Sequence, residues 1–272
     1  MASFPADPVP LTSGNTRVKN ARKLARRSFR ADQRLFLADG PKAVEGALSV
    51  PGCVAEVFAT PAASQQYAAL RTDADWTIVD DRALASLSDA VTPQGIIALC
   101  HFVDRPLERV LAPADPGPLR LVVLCADVRD PGNAGTVIRT ADAAGADAVV
   151  LAGNSVDPYN PKTVRATVGS LFHLPLAVTD DPAAAVQAAQ AAGLVVLAAD
   201  GNGEVDLDDA IDSGLLAQPT AWLFGNEAWG LPDELAALAD HRVRIPIHGR
   251  AESLNLSTAA AVCLYASARA QR

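Results

Sequence analysis

Apolar residues recur along the chain in two rhythms, short continuous runs and stripes at helical spacing, and the two alternate almost from end to end. In the first hundred residues, runs at 35–38, 54–59, 76–79 and 96–102 predict strands, and 43–48, 64–70 and 82–87 predict helices between them. Ahead of these, 15–30 reads as one helix, with Val18, Ala21, Ala25 and Phe29 on a stripe and Leu24 beside it. Residues 1–14 read as a loose tail, and 105–118, with Pro106, Pro113, Pro116 and Pro118, as a stiff linker. The division is therefore a small α/β domain at 1–104, a linker at 105–118 and a second domain at 119–272.

Past the linker, strands are predicted at 119–125, 146–151, 174–178, 194–199, 221–224 and 242–245. Helices fall at 133–144, 161–170, 183–192 and 256–269, with Pro161 suited to a first turn and Gly193 to a stop. Strands separated by helices imply an α/β domain with a mostly parallel sheet covered on both faces. Ligands in such sheets bind beyond the carboxyl ends of the strands. The loops after Cys125, Ala199, Phe224 and Ile245 are thus where chemistry is expected.

Charge changes this picture at one place. The formal net charge of −8 taken alone argues against a nucleic-acid partner. The distribution argues the other way: eight of the 23 Lys and Arg lie between Arg17 and Arg34, opposed only by Asp32. Charge of nearly one sign along a helix predicts an electrostatic arm for RNA phosphates rather than a merely solvated face. Cys53, Cys100, Cys125 and Cys263 are scattered without a C-x-x-C pair, and they read as buried reduced thiols of a cytoplasmic protein. His101 and Cys100 read as core or edge residues of a strand. The four histidines lack ligand partners at useful spacing, so no metal is expected. Residues 1–10 lack the apolar segment of a signal peptide, and no apolar run reaches the ~18 residues of a membrane span.

Three loops carry candidate chemistry. Asp127–Arg139 follows a strand and opens a helix, with Asn133 placed as its N-cap and Arg139 projecting from another side. Leu223–Leu231 empties a strand into Gly225, Asn226 and Glu227, with Gly230 shortly after. In Arg244–Ser257 a strand ends at Ile245, and Ser253, Asn255 and Ser257 crowd the start of the last helix, where negative charge is stabilised.

Together these loops resemble the three motifs of the SpoU (TrmH-type) family of the SPOUT superfamily. Asn133, Gly135 and Arg139 match N-x-G-x-x-x-R, residues 223–230 match the G-N-E-x-x-G motif, and 245–257 match I-P-[IM]…S-L-N-[VL]-S, in the family's order and spacing. The 157–175 segment is similar to the family's stretch between motifs one and two, and 15–46 to its ribosomal-RNA-type substrate-binding domain. The chain departs from the pattern at Asp39, where the family usually has glutamate.

The resemblance implies a C-terminal SPOUT domain with a parallel sheet and a deep trefoil knot, which sequence periodicity cannot reveal. It is preceded by a small α/β substrate-binding domain like that of a ribosomal protein. The implied reaction is methyl transfer from S-adenosyl-L-methionine to a ribose 2′-hydroxyl. Gly225, Ile245 and Leu254, with Asn226 and Ala199, are implied as cofactor contacts. Arg139 is implied as the catalytic residue, with Asn133 and Glu227 positioning it and the substrate, and Ser253 and Asn255 holding the 2′-oxygen and the helix end. A guanidinium with a pKa above ~12 is an awkward base, so Arg139 is either transiently deprotonated or a permanent charge that clamps phosphate. Arg17, Lys19, Arg22, Arg26, Arg30 and Arg165 are the implied RNA contacts. Further implications are a homodimer through the knotted domain and ribosomal (23S) RNA as target ahead of transfer RNA.

Three rival readings compete with this one. A dinucleotide-dependent oxidoreductase would need G-x-G-x-x-G, which this chain lacks after its strands. A non-catalytic RNA-binding homologue conflicts with the presence of every motif residue. A base methyltransferase of a sister class conflicts with Arg139.

Overall fold

The computed structural model describes residues 9–71, 74–112 and 117–272. The chain parts into two units: the residues up to Phe102 together with Tyr159–Phe172, and Val103–Pro158 together with His173–Arg272. The first unit contains α1 (Thr16–Lys23), α2 (Arg27–Gln33), β1 (Leu35–Asp39), α3 (Pro41–Leu48), β2 (Val54–Ala59), α4 (Pro61–Gln66), β3 (Trp76–Ile78), α5 (Asp81–Ala85) and β4 (Ile96–His101). Its sheet runs β1-β4-β2-β3, with β4 antiparallel to both neighbours and β2 parallel to β3.

The single helix expected at 15–30 is two helices. Arg30 is buried, and its Nη1 donates to the carbonyls of Leu24 at 2.8 Å and Ala25 at 3.0 Å, so a guanidinium terminates α1 where a continued helix would have used those acceptors. Val18, Ala21 and Leu24 pack on Leu37, Phe58 and Ile97, while Ala25 is exposed. The tail expectation fails at Leu11, which pairs with Val79 and exchanges backbone hydrogen bonds with Ile78 and Asp80. Residues 1–8, on which most of that expectation and the signal-peptide reading fall, lie outside the described residues.

The second unit contains α6 (Leu107–Val110), β5 (Leu121–Ala126), α7 (Pro131–Ala144), β6 (Ala148–Ala152), β7 (Leu176–Thr179), α9 (Pro182–Ala191), β8 (Val195–Ala199), β9 (Val205–Asp206), α10 (Leu207–Asp212), β10 (Thr220–Phe224), α11 (Asp233–Ala236), β11 (His241–Arg244) and α12 (Leu256–Ala270); α8 (Pro161–Thr167) belongs to the first unit. Its seven strands are all parallel in the order β7-β6-β5-β10-β8-β11-β9. Every residue of β5, β6 and β10 is buried, as the unbroken apolar runs required. Trp222 fits in that core because its Nε1 donates to Ser267 Oγ of α12 at 2.8 Å. The four cysteines are buried and unpaired, and burial pushes the Cys125 thiol up to about 12.

Two boundaries differ from the contiguous division. Val110 and Leu111 are buried in the second unit's core and Arg105 N–H donates to Leu176 O, so the front of the expected linker is part of that unit; 113–116 lie outside the described residues. Tyr159–Phe172 joins the first unit through aromatic packing: Tyr159 lies 4.6 Å from Phe36 and 3.8 Å from Phe102 between ring centroids. The short elements α6, β9, α10 and α11 were not expected, being too brief to show a period.

Candidate active site

The carboxyl ends of β5, β8, β10 and β11 meet where the chain order of the sheet reverses, the place such folds bind ligands. A cleft of about 320 Å³ opens there. It is lined from β8 by Ala199 and Asp200, from β10 by Phe224–Ala228, and from the segment after β11 by Ile245, Ile247, Ser253 and Leu254.

The turn after β10 is built by two glycines. Asn226 and Gly230 exchange backbone hydrogen bonds at 2.9 Å each, with Gly230 at φ +72°. A Cβ on Gly225 would stand 2.4 Å from the Gly230 carbonyl, so only glycine permits this closure. Buried Asn226 donates from Nδ2 to Asp127 O at 2.7 Å and accepts from Ala228 N–H at 2.8 Å.

Asp127 follows β5 in the left-handed region at φ +56°, a conformation that Asp tolerates. Three residues on, Asp130 caps α7 by accepting from Asn133 N–H at 2.7 Å, with Pro131 in the first turn. Asn133 was expected as the cap; relieved of that task, its side chain faces the other loops. Its Nδ2 donates to Glu227 Oε1 at 3.3 Å, and its Oδ1 accepts from Asn255 Nδ2 at 3.2 Å. Glu227 also accepts from Arg129 N–H at 3.3 Å and Asp130 N–H at 3.1 Å, and Asn255 caps α12 through Ser257 N–H at 2.9 Å. One chain of polar contacts thus ties all three motif loops together. Asp127 and Asp130 were not singled out; the Asp-Pro at the head of a helix was the signal for the second. Trp229, also not singled out, is 53 % exposed beneath the Arg129 guanidinium at 4.9 Å.

Asn133, Glu227 and Asn255 are therefore brought together, and Gly225, Asn226, Ile245, Leu254, Ala199 and Ser253 line the cleft. Arg139 is not among the lining residues. It is exposed on α7, and no hydrogen bond or ion pair joins its side chain to another described residue.

The cleft suits a nucleoside sulfonium. Ile247 and Leu254 stay more than a third exposed beside Ile245 and Phe224, an apolar wall that a flat ring would cover. The backbone stripped of side chain at Gly225 offers close polar approach. No group of His, Cys, Asp and Glu that could hold a metal ion occurs among the described residues.

In the first unit the expected RNA contacts divide. Lys19, Arg22 and Arg26 are exposed. Arg17 pairs with Glu56 at 2.5 Å and Arg165 with Asp89. Arg30 is corrected: it is 2 % exposed and spent on the end of α1, so it has no surface to offer a phosphate.

Residues 120–265 match the SpoU rRNA Methylase family, and residues 15–98 match the MRM3-like substrate binding domain. The 23S rRNA (guanosine(2553)-2′-O)-methyltransferase RlmP of Bacillus subtilis is 35 % identical over 251 residues, 92 % of this chain and 95 % of the relative. An AdoMet-bound rRNA methyltransferase from Sinorhizobium meliloti is 33 % identical with a TM-score of 0.81, over 96 % of this chain and 97 % of that one. The SpoU methyltransferase AviRb from Streptomyces viridochromogenes, in complex with AdoMet, is 30 % identical with a TM-score of 0.80, over 94 % and 97 %. Two matched domains in the expected order, and likeness along nearly the whole chain, place the protein: it belongs to the SpoU rRNA methylase family.

Proposed function

We infer that the chain is an S-adenosylmethionine-dependent RNA 2′-O-methyltransferase acting on ribosomal RNA. The observation that carries this is the Glu227–Asn133–Asn255 chain, which holds the three motif loops at the rim of one cleft. The kinship to enzymes named for 23S rRNA ribose methylation supports it, and 23S RNA is the proposed target. Nucleoside mass spectrometry of ribosomal RNA incubated with protein and cofactor tests the reading; a methyl group on a base instead of a ribose would overturn it.

When bound, S-adenosylmethionine supplies an electrophilic sulfonium methyl group. Gly225, Asn226, Ile245, Leu254 and Ala199 would hold it, through backbone groups and the apolar wall. Glu227 and Asn133 would fix the rim, and Ser253 and Asn255 would hold the ribose oxygen. Arg139 is proposed to remain charged, to lower the pKa of the attacking hydroxyl and to clamp the RNA phosphate, the role that suits a guanidinium better than that of a base. Losing such an electrostatic contact costs ~10²–10³ in rate. Arg139→Ala is expected to bind S-adenosylhomocysteine normally by calorimetry while transferring almost no tritiated methyl. Near-normal transfer would sink the assignment.

The knot, the dimer and the location also stand as proposals. The insertion of β10 between β5 and β8 supports a knot, as does the press of the 200–204 loop on β11, where a Cβ on Gly203 would meet Arg242 O at 2.6 Å. Val262 and Tyr265 are exposed on α12, which packs along α7, and this supports self-association through the second unit. Lys19, Arg22 and Arg26 remain the proposed phosphate contacts. No helix of the described residues is long and apolar enough to cross a membrane, and the four buried thiols accord with a reducing cytoplasm.

A further inference from the structure

A second cavity, of about 390 Å³, opens in the first unit between the α1–α2 pair and the sheet. Its composition is unlike an unfilled gap in a core. Phe29 gives it a half-buried aromatic face, Asn20 and Gln33 give it side-chain amides, and Arg17 and Lys23 bring two cations. Glu56, only 9 % exposed, brings a carboxylate.

The state of that carboxylate is informative. Glu56 Oε1 takes both the Thr77 hydroxyl and the Arg17 guanidinium, each at 2.5 Å. Its Oε2 has no hydrogen bond among the described residues. An ionised carboxylate can accept several hydrogen bonds, and Oε2 is not among the buried atoms left without a partner, so it is open to the cavity side and free to accept from a ligand. The Lys23 ammonium lies 5.9 Å from the Phe29 ring centre, a loose contact that a stacked ring can displace.

We propose that this cavity takes one unpaired guanine base of the RNA substrate, stacked on Phe29 and donating its Watson–Crick edge to Glu56 Oε2. The proposal rests on the reading of the chain as an RNA enzyme. An aromatic face with hydrogen bonding to a base edge is how single-stranded nucleotides are recognised, and splayed bases are the usual specific targets in RNA. The carboxylate is an acceptor only, so it selects an edge made of donors. Guanine presents two adjacent N–H groups. Uracil presents one N–H between two carbonyls, which the carboxylate repels, and adenine places an acceptor beside its amino group. The ammonium of Lys23 then meets the phosphate of the same nucleotide, while Arg17 stays on Glu56 Oε1. The cavity residues Arg17, Asn20, Lys23, Phe29 and Gln33 all come from the basic segment, so the charge run and the cavity are one device.

The test uses the full chain and fluorescein-labelled single-stranded RNA hexamers of adenosine carrying one central guanosine, inosine or uridine. Inosine keeps the ring N–H and lacks the 2-amino group. The guanosine hexamer is expected to bind roughly tenfold more tightly than the uridine one, with inosine between. Glu56→Gln should erase the ranking, since an amide can answer either edge. Phe29→Leu should weaken all three hexamers alike and keep the ranking. Equal affinities in the wild type, or a ranking that survives Glu56→Gln, would overturn the proposal. If Glu56→Gln fails to fold, an unchanged affinity in Phe29→Leu overturns it on its own. Methyl incorporation into ribosomal RNA is measured beside each titration. Incorporation without base ranking removes the cavity claim alone, and absence of incorporation removes the enzymatic reading beneath it.

Discussion

The two units use their marked residues in opposite ways. In the second, the motif residues converge: Asn133, Glu227 and Asn255 come from loops some 94 and 122 positions apart and touch. In the first, the marked residues disperse: of the basic run, Arg30 is buried in a helix terminus, Arg17 is paired with Glu56, and Lys19, Arg22 and Arg26 face solvent. A site written in glycines, amides and caps is specified by backbone geometry, which leaves few alternative uses for each residue. A site written in charge is specified only by surface, and a cation is equally useful inside as a donor to orphaned carbonyls.

The sharpest way to break this comparison is to strike the backbone of the second unit. In Gly225→Ala the new methyl group lands 2.4 Å from the Gly230 carbonyl carbon and oxygen and 2.6 Å from Leu231 N, all of them main-chain atoms. Nothing there can swing aside, so the turn must open. Overpacking of this kind costs ~1–3 kcal/mol, and here it falls on the cleft, so affinity for S-adenosylhomocysteine should drop about tenfold to a hundredfold. Calorimetry reads it. Wild-type affinity would mean that the turn between Gly225 and Gly230 does not shape the cleft.

That contrast also explains what the sequence disclosed. The parallel sheet was legible because β5 and β6 are apolar at every position and β10 at every position but Thr220, and the loops after Ala199, Phe224 and Ile245, three of the four singled out, line one cleft. The Asn133 side chain was misplaced by three residues of capping logic: Asp130 and Pro131 start the helix, and Asn133 is freed for Glu227. The break between α1 and α2 was invisible because its cause, Arg30 folding back on Leu24 and Ala25, is a tertiary contact in a stretch whose local propensity is helical. The membership of Tyr159–Phe172 in the first unit was equally hidden, since ring packing on Phe36 and Phe102 has no periodic signature.

The basic segment offers a sharper comparison within itself. Arg30→Ala leaves the last carbonyls of α1 without their donor and should cost ~1–3 kcal/mol, a melting temperature lower by several degrees. It should leave the salt dependence of RNA binding as it was. Arg22→Ala with Arg26→Ala removes two exposed charges. That pair should melt like the wild type and reduce the slope of log affinity against log salt by about 1.5. Differential scanning calorimetry and anisotropy titrations across salt separate the two. A flattened slope in Arg30→Ala would return that residue to the RNA surface.

The smallest effect concerns Asp39, where the sequence departs from the glutamate that the resemblance implies. Burial raises its carboxyl above the ordinary 3.8, the Ser88 hydroxyl that donates to Oδ2 opposes this, and Asp89 adds to the rise. A raised carboxyl pKa means that the folded state holds its proton more tightly than the unfolded one. Folding is therefore favoured at pH below the ordinary value, and that advantage is lost as pH climbs through the folded pKa. At neutral pH the ionised group is a mild burden. Asp39→Asn removes the charge and keeps a side-chain oxygen for Ser88. The variant should melt about a degree above wild type at pH 7, and the difference should vanish as pH falls below 3.8, where both side chains are neutral in the folded and unfolded chain. A difference that stays constant across that range would show that the ion at Asp39 carries no penalty, and that the shorter acid is tolerated for its length alone.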